Sequence, residues 1–173
     1  MTTAGAVFSP NHLDRGTQVL LSHVPDPPTT GVFLDLGCGW GPIALALADA
    51  APDATVLAVD INERAVDLAA RNASAAGLGN IRALMADDLL AELRSSSATV
   101  DLIWSNPPVR IGKEALHSLL LTWLALLSDK GEAWFVVQKN LGADSLMAWL
   151  NSQSWSATRA ASSKGFRILH VHR

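Results

Sequence analysis

Apolar positions along this chain keep two alternating rhythms. Short apolar runs over residues 32–34, 55–59, 81–85 and 100–104 have the length of buried strands. Stretches at helical spacing fill the gaps, over 42–50, 63–76, 113–127 and 143–150. In the second of these, Ala65, Val66, Leu68, Ala69 and Ala73 mark one face, Asn62 stands as the N-cap, and Gly77 closes the C-terminus. A fifth strand is predicted over 133–137 after the turn-forming Asp129-Lys130-Gly131, and two last strands near 155–158 and 166–171.

Strand, crossover helix and strand in repetition predict an α/β fold: one mostly parallel, Rossmann-like sheet of seven strands with helices on both faces. One domain over 1–173 is expected, with 1–30 a segment flanking the substrate and cofactor sites. Ligands of such sheets bind outside the carboxyl ends of the strands. The positions just after strands are therefore where chemistry is sought.

Composition narrows the classes. Apolar residues make up 49% of 173 positions and mean hydropathy is +0.23, which argues for a real core and against disorder. No apolar run reaches the ~18 residues of a membrane span, and nothing at the start resembles a signal peptide, so a cytoplasmic protein is expected. A single cysteine, Cys38, excludes an internal disulfide, and the five dispersed histidines form no metal-like spacing with acids. Net charge is −3, but from Lys139 onward five Lys/Arg stand against Asp144, so this tail carries +4 and the rest −7. Such a tail fits a polyanionic partner or ordinary surface scatter.

The turn after the first strand reads Asp35-Leu36-Gly37-Cys38-Gly39-Trp40-Gly41-Pro42. Alternate glycines let a ligand approach bare backbone, and Pro42 suits a first helical position. Proline at 42 departs from the dinucleotide fingerprint. The spacing instead resembles the cofactor motif of class I S-adenosylmethionine-dependent methyltransferases, which makes Asp35, Gly37, Gly39 and Gly41 cofactor-binding candidates. Asp60 ends the second strand, where a carboxylate can accept from both hydroxyls of an adenosine ribose. Ile61 would pack on the adenine. Asp87 and Asp88 follow the third strand; one of them, Asp88 by position, would take the adenine amino group, or either caps the next helix.

After the fourth strand comes Asn106-Pro107-Pro108. Two prolines stiffen this turn and remove two backbone donors. The stiffness makes sense if the methyl acceptor is an amine conjugated to a π system, a poor nucleophile because its lone pair is delocalised. The Asn106 side-chain oxygen and the Pro107 carbonyl can each accept one N–H bond, aiming the lone pair at the methyl. Asn106 and Pro107 are thus the catalytic candidates, Asn106 also bordering the cofactor. Pro108, Val109, Arg110 and Phe8 are substrate-binding candidates, Phe8 fitting equally a role in N-terminal packing. The aromatic residue that many amino-methylating enzymes place after the second proline is Val109 here, so a stacking partner must come from elsewhere.

The stretch from Asn106 to Lys113, the run Val7-Phe8-Ser9 with Leu13-Asp14-Arg15-Gly16-Thr17-Gln18-Val19-Leu20-Leu21, and the end Lys164-Gly165-Phe166-Arg167-Ile168-Leu169 are together similar to the small-domain methyltransferases. That family includes the ribosomal RNA guanine-N2 methyltransferases. The resemblance implies S-adenosylmethionine as cofactor, no metal, and RNA as substrate, with guanine N2 of small-subunit ribosomal RNA the leading acceptor. Bacterial small-subunit enzymes of this branch carry a degenerate domain ahead of the catalytic one. Here docking would fall to this domain, a partner chain or a second copy in a homodimer. Two rivals remain: a glutamine N5-methyltransferase of the release-factor type, which usually shows tyrosine where Val109 stands, and a non-catalytic cofactor-binding partner subunit. Cys38 is read as a small turn residue and not a nucleophile, and His170 and His172 as a solvent-facing edge.

Overall fold

The structure, a computed structural model, describes residues 13–173. Its strands are β1 (Val32–Leu36), β2 (Thr55–Asp60), β3 (Ile81–Met85), β4 (Val100–Ser105), β5 (Leu127–Gln138), β6 (Ser156–Ser163) and β7 (Phe166–His172). The helices are α1 (Arg15–His23), α2 (Pro42–Ala50), α3 (Glu63–Ala75), α4 (Ala86–Ser96), α5 (Lys113–Leu124) and α6 (Ala143–Ser152). Among the described residues the strands form one sheet in the order β3-β2-β1-β4-β5-β7-β6. Neighbours from β3 to β5 are parallel, and β7 runs antiparallel between β5 and β6.

This is the strand order expected from the resemblance to class I methyltransferases. The chain steps outward from β1 to β3, then returns to start β4 on the other side of β1. A crevice opens where that order reverses, at the carboxyl ends of β1 and β4. Asp35 pairs with Trp104 across this seam, and Ser105 Oγ donates to the Leu36 carbonyl at 2.6 Å, locking the two strand ends together.

Apolar side chains cover both faces of the sheet. Leu89 and Leu93 of α4, Leu120 and Trp123 of α5, and Leu146 and Leu150 of α6 pack on one. Val19 and Leu20 of α1, Ile43 and Leu47 of α2, and Ala69 of α3 pack on the other. Asn62 caps α3 as expected, accepting from Arg64 N at 3.0 Å.

Several expectations are corrected. The flanking segment holds a helix, α1, that the periodicity had not marked; Asp14 caps it by accepting from Thr17 N. Helix α5 ends at Leu124, short of 127, and β5 starts at Leu127, opposite Val100. Between that pair and Leu102↔Glu132, β5 carries three more residues than β4, so Asp129-Lys130-Gly131 bulges inside a strand instead of preceding one. Strand β6 covers Ser156–Ser163, well past 158. The histidines of β7 lie on an interior strand: His170 stacks on Trp134 at 4.2 Å between ring centroids and meets Glu132 at 2.6 Å. Cross-strand pairing, invisible in a single strand's pattern, decides each strand case.

Candidate active site

Two clefts meet at the switch point. The first, about 400 Å³, is lined by Gly37, Asp60, Ile61, Ala86, Asn106 and Pro108, among others. The second, about 210 Å³, includes Asp14, Asn106, Pro107, Val109, Arg110 and Phe166. Asn106 lines both. One residue therefore stands on the wall between a larger, mainly apolar cleft and a smaller one.

The glycine turn is shaped by its neighbours. Gly37 N and Cys38 N both donate to the Val59 carbonyl at 2.9 Å, which ties the turn to the end of β2. Gly37 has φ +74° and a Cβ there would meet nothing within 4 Å, so its bare face opens on the cleft. Gly39 is equally open, and its N–H donates to Asp60 Oδ2 at 3.0 Å. Gly41 differs: it caps α2, and a Cβ there would sit 3.1 Å from Ala69 Cβ, so it serves the approach of α3. Asn72 Nδ2 holds the Trp40 carbonyl at 2.8 Å, tethering the same turn to α3.

The carboxylates divide the work. Asp60 accepts from Gly39 N and Asn62 N on the cleft wall. Asp35 lies fully buried beneath the turn, where Oδ2 accepts from Ala44 N at 2.9 Å and Oδ1 has no partner among the described residues. Burial pushes its carboxyl up to about 7, against the pull of the Ala44 amide and with Asp60 adding to the rise. Asp87 and Asp88 are exposed in the first turn of α4, whose N-cap is Met85, so neither caps it; Ala86, not Asp88, faces the cleft. Both acids suit the positive end of that helix.

Ile61 is 81% exposed, an apolar side chain left bare beside Asp60. The Cys38 thiol is buried and pushed up by desolvation and then by the charges of Asp35 and Asp60, which suppresses the nucleophilic thiolate.

The Asn106-Pro107-Pro108 turn follows directly on β4. Pro108 at φ −75°, ψ 78° makes an inverse γ-turn, with Val109 N donating to the Pro107 carbonyl at 2.9 Å. That carbonyl keeps its second lone pair. Asn106 Nδ2 donates to Asp14 Oδ2 at 2.8 Å and to Thr17 Oγ1 at 3.2 Å. Pro108 falls in the larger cleft, and Val109 and Arg110 in the smaller. Phe8 lies outside the described residues.

Sequence reasoning missed Asp14, Thr17 and Phe166 at this site. Phe166 opens β7 and brings into the smaller cleft the aromatic ring that Val109 does not supply. Its place after the Lys164-Gly165 turn was visible; its fold neighbours were not.

The family model described as the methyltransferase small domain matches residues 1–170. This chain belongs to that family. It is an S-adenosylmethionine-dependent methyltransferase related to ribosomal RNA methyltransferases. The small-domain chain is 35% identical over 168 residues to the uncharacterised Bacillus subtilis protein YbxB, across 97% of itself and 83% of that protein. It is 37% identical over 139 residues to a Shewanella ribosomal RNA small subunit methyltransferase C, spanning 78% of itself but 39% of that relative. Its fold superposes on a Thermus thermophilus 16S rRNA N2 methyltransferase, solved with AdoMet and guanosine, at TM-score 0.72 and 21% identity, over 96% of this chain and 45% of that one.

Among the described residues no helix is long and apolar enough to cross a membrane, and no group of three or more His, Cys, Asp or Glu is placed to hold a metal ion.

Proposed function

We propose that this methyltransferase modifies an exocyclic amine of RNA, with guanine N2 of small-subunit ribosomal RNA as the acceptor. The observation that carries the reading is Asn106 on the wall shared by the two clefts. The larger cleft fits the cofactor. Gly37 and Gly39 leave space that a Cβ would fill, Asp60 presents a carboxylate for ribose hydroxyls, and Ile61 offers an apolar face to adenine. Asp35 and Gly41 hold the turn in shape from behind. Bound there, S-adenosylmethionine supplies an electrophilic methyl.

The smaller cleft takes the acceptor base. Asn106 Oδ1 and the Pro107 carbonyl accept the two N–H bonds of the amine, holding its lone pair towards the larger cleft. With the amine held by Asn106 and Pro107, its nitrogen would accept the methyl that the cofactor supplies and lose its proton afterwards, so no base of unusual strength is needed. Phe166 stacks on the base. Arg110 lines this cleft, and Arg15, Lys113, Lys139 and Lys164 stand within three residues of its lining along the chain; all five are exposed and make no ion pair among the described residues, whereas Arg71 and Arg82 elsewhere pair with Asp67 and Glu92. Lys139 N donates to the Gly165 carbonyl at 2.8 Å, which sets Lys139 beside Lys164. Free cations at an acceptor cleft suit phosphates. The tail expected to meet the polyanion is thereby trimmed: Arg167 turns inward towards Asp144 at 3.6 Å, and Arg173 sits over Trp155.

The test is transfer of tritium from labelled cofactor into RNA and protein fractions, followed by nucleoside mass spectrometry. N2-methylguanosine in small-subunit ribosomal RNA is expected. Label confined to protein would overturn the RNA reading and favour a glutamine side chain.

A further inference from the structure

We infer that Asp14 and Thr17 decide which end of the Asn106 amide faces the acceptor, and are positioning residues for methyl transfer. The inference rests on the catalytic role proposed above for Asn106. An amide side chain has two ends of nearly equal shape and opposite polarity: one accepts, the other donates. Reversed, Asn106 would point N–H groups at the N–H groups of an amine and hold nothing. Neither proline can prevent that reversal, because both act on the backbone.

Helix α1 prevents it. Asp14 Oδ2 lies 2.8 Å from Asn106 Nδ2, and an ionised carboxylate has no proton to give, so only the donor end of the amide can face it. Thr17 Oγ1, on a residue 5% exposed, takes the second N–H at 3.2 Å. Both donors are then used, and Oδ1 is the polar end left over on a residue that lines both clefts. The same Asp14 oxygen accepts from Thr17 N at 3.2 Å, so the cap that starts α1 also orients the amide. Gly16 leaves room for this. A Cβ there would stand 3.0 Å from Asp14 Oδ2, 3.1 Å from Asn106 Nδ2 and 3.2 Å from Phe166 Cε1. The Leu13-to-Leu21 run thus reads as the support of a catalytic amide.

Asp14→Ser separates capping from orientation, because serine caps a helix as well as aspartate but ends short of Asn106. The assay is single-turnover methyl transfer to unmodified small-subunit ribosomal RNA, with cofactor binding by calorimetry and thermal melting alongside. Asp14→Ser should slow the chemical step about ten- to hundredfold, with melting and cofactor affinity unchanged. Asp14→Asn, whose carbonyl can still accept, should restore part of the rate. In an Asn106→Ala background, Asp14→Ser should cost nothing further, since it acts only through that amide. An unchanged rate in Asp14→Ser, or an equal loss with and without Asn106, overturns the inference alone. Wild-type turnover in Asn106→Ala overturns the catalytic reading and this inference with it.

Discussion

Replacing Gly37 by alanine separates the geometry of the turn from its contact with cofactor. Gly37 has φ +74°, and a Cβ built on it meets no atom within 4 Å. Gly77, which follows α3, is a matched control: φ +71°, nothing within 4 Å, and no place in either of the two clefts. Alanine in the left-handed region costs ~1–2 kcal/mol at either position. For a domain of this size that lowers the melting temperature by ~2–8 °C. The two variants should therefore lose similar stability. They should differ in binding. At Gly37 the new methyl projects into the cleft, where it overpacks a bound ligand by ~1–3 kcal/mol, a loss in affinity of about five- to 150-fold. At Gly77 it meets only solvent. Isothermal calorimetry with S-adenosylmethionine reads the difference directly, with melting curves recorded on the same samples. Equal cofactor affinity in the two variants would refute the placement of the cofactor against Gly37.

Three further outcomes follow from the same geometry. Asp60→Ala should weaken cofactor binding by the ~1.5–3 kcal/mol of hydrogen bonds to a charged group, and unchanged affinity in calorimetry would remove Asp60 from the site. Asp35 holds its proton up to about 7 when folded, against an ordinary value of 3.8. The unfolded chain therefore loses that proton first, and the contribution of Asp35 to wild-type stability should fall by roughly 3 kcal/mol as pH rises from 4 to 7, being complete only well below the unfolded value of 3.8. Asp35→Asn should lack that fall; urea midpoints that stay parallel for the two proteins across this window would contradict it. Lys139→Ala and Lys164→Ala should weaken RNA binding across sequences and lower the salt slope by about one for each phosphate no longer neutralised, and an unaltered slope in filter binding would move the RNA elsewhere.

What lies close together along the chain is legible in the order of the amino acids. Buried strands, the Asn62 cap, the glycine turn and the stiff Asn106 turn each declare themselves within a few residues, because propensity, capping and proline geometry act over that range. Their order, strand after crossover helix, then implies the parallel sheet, and the sheet places both turns at the carboxyl ends of its strands. Interactions between distant segments carry no such local mark. Asp14 and Asn106 are 92 residues apart, and nothing in either neighbourhood names the other. Phe166 reaches the smaller cleft only because β7 inserts between β5 and β6. Placing the last strand in the interior also turns His170, expected at a solvent-facing edge, into a partner of Trp134 and Glu132. Charge behaves likewise: Arg167 counts as a free cation in the sequence, and Asp144 meets it only across the fold. Period and composition report which face of an element is buried; which partner buries it is set by long-range packing and pairing, and the orientation of the Asn106 amide depends on that choice.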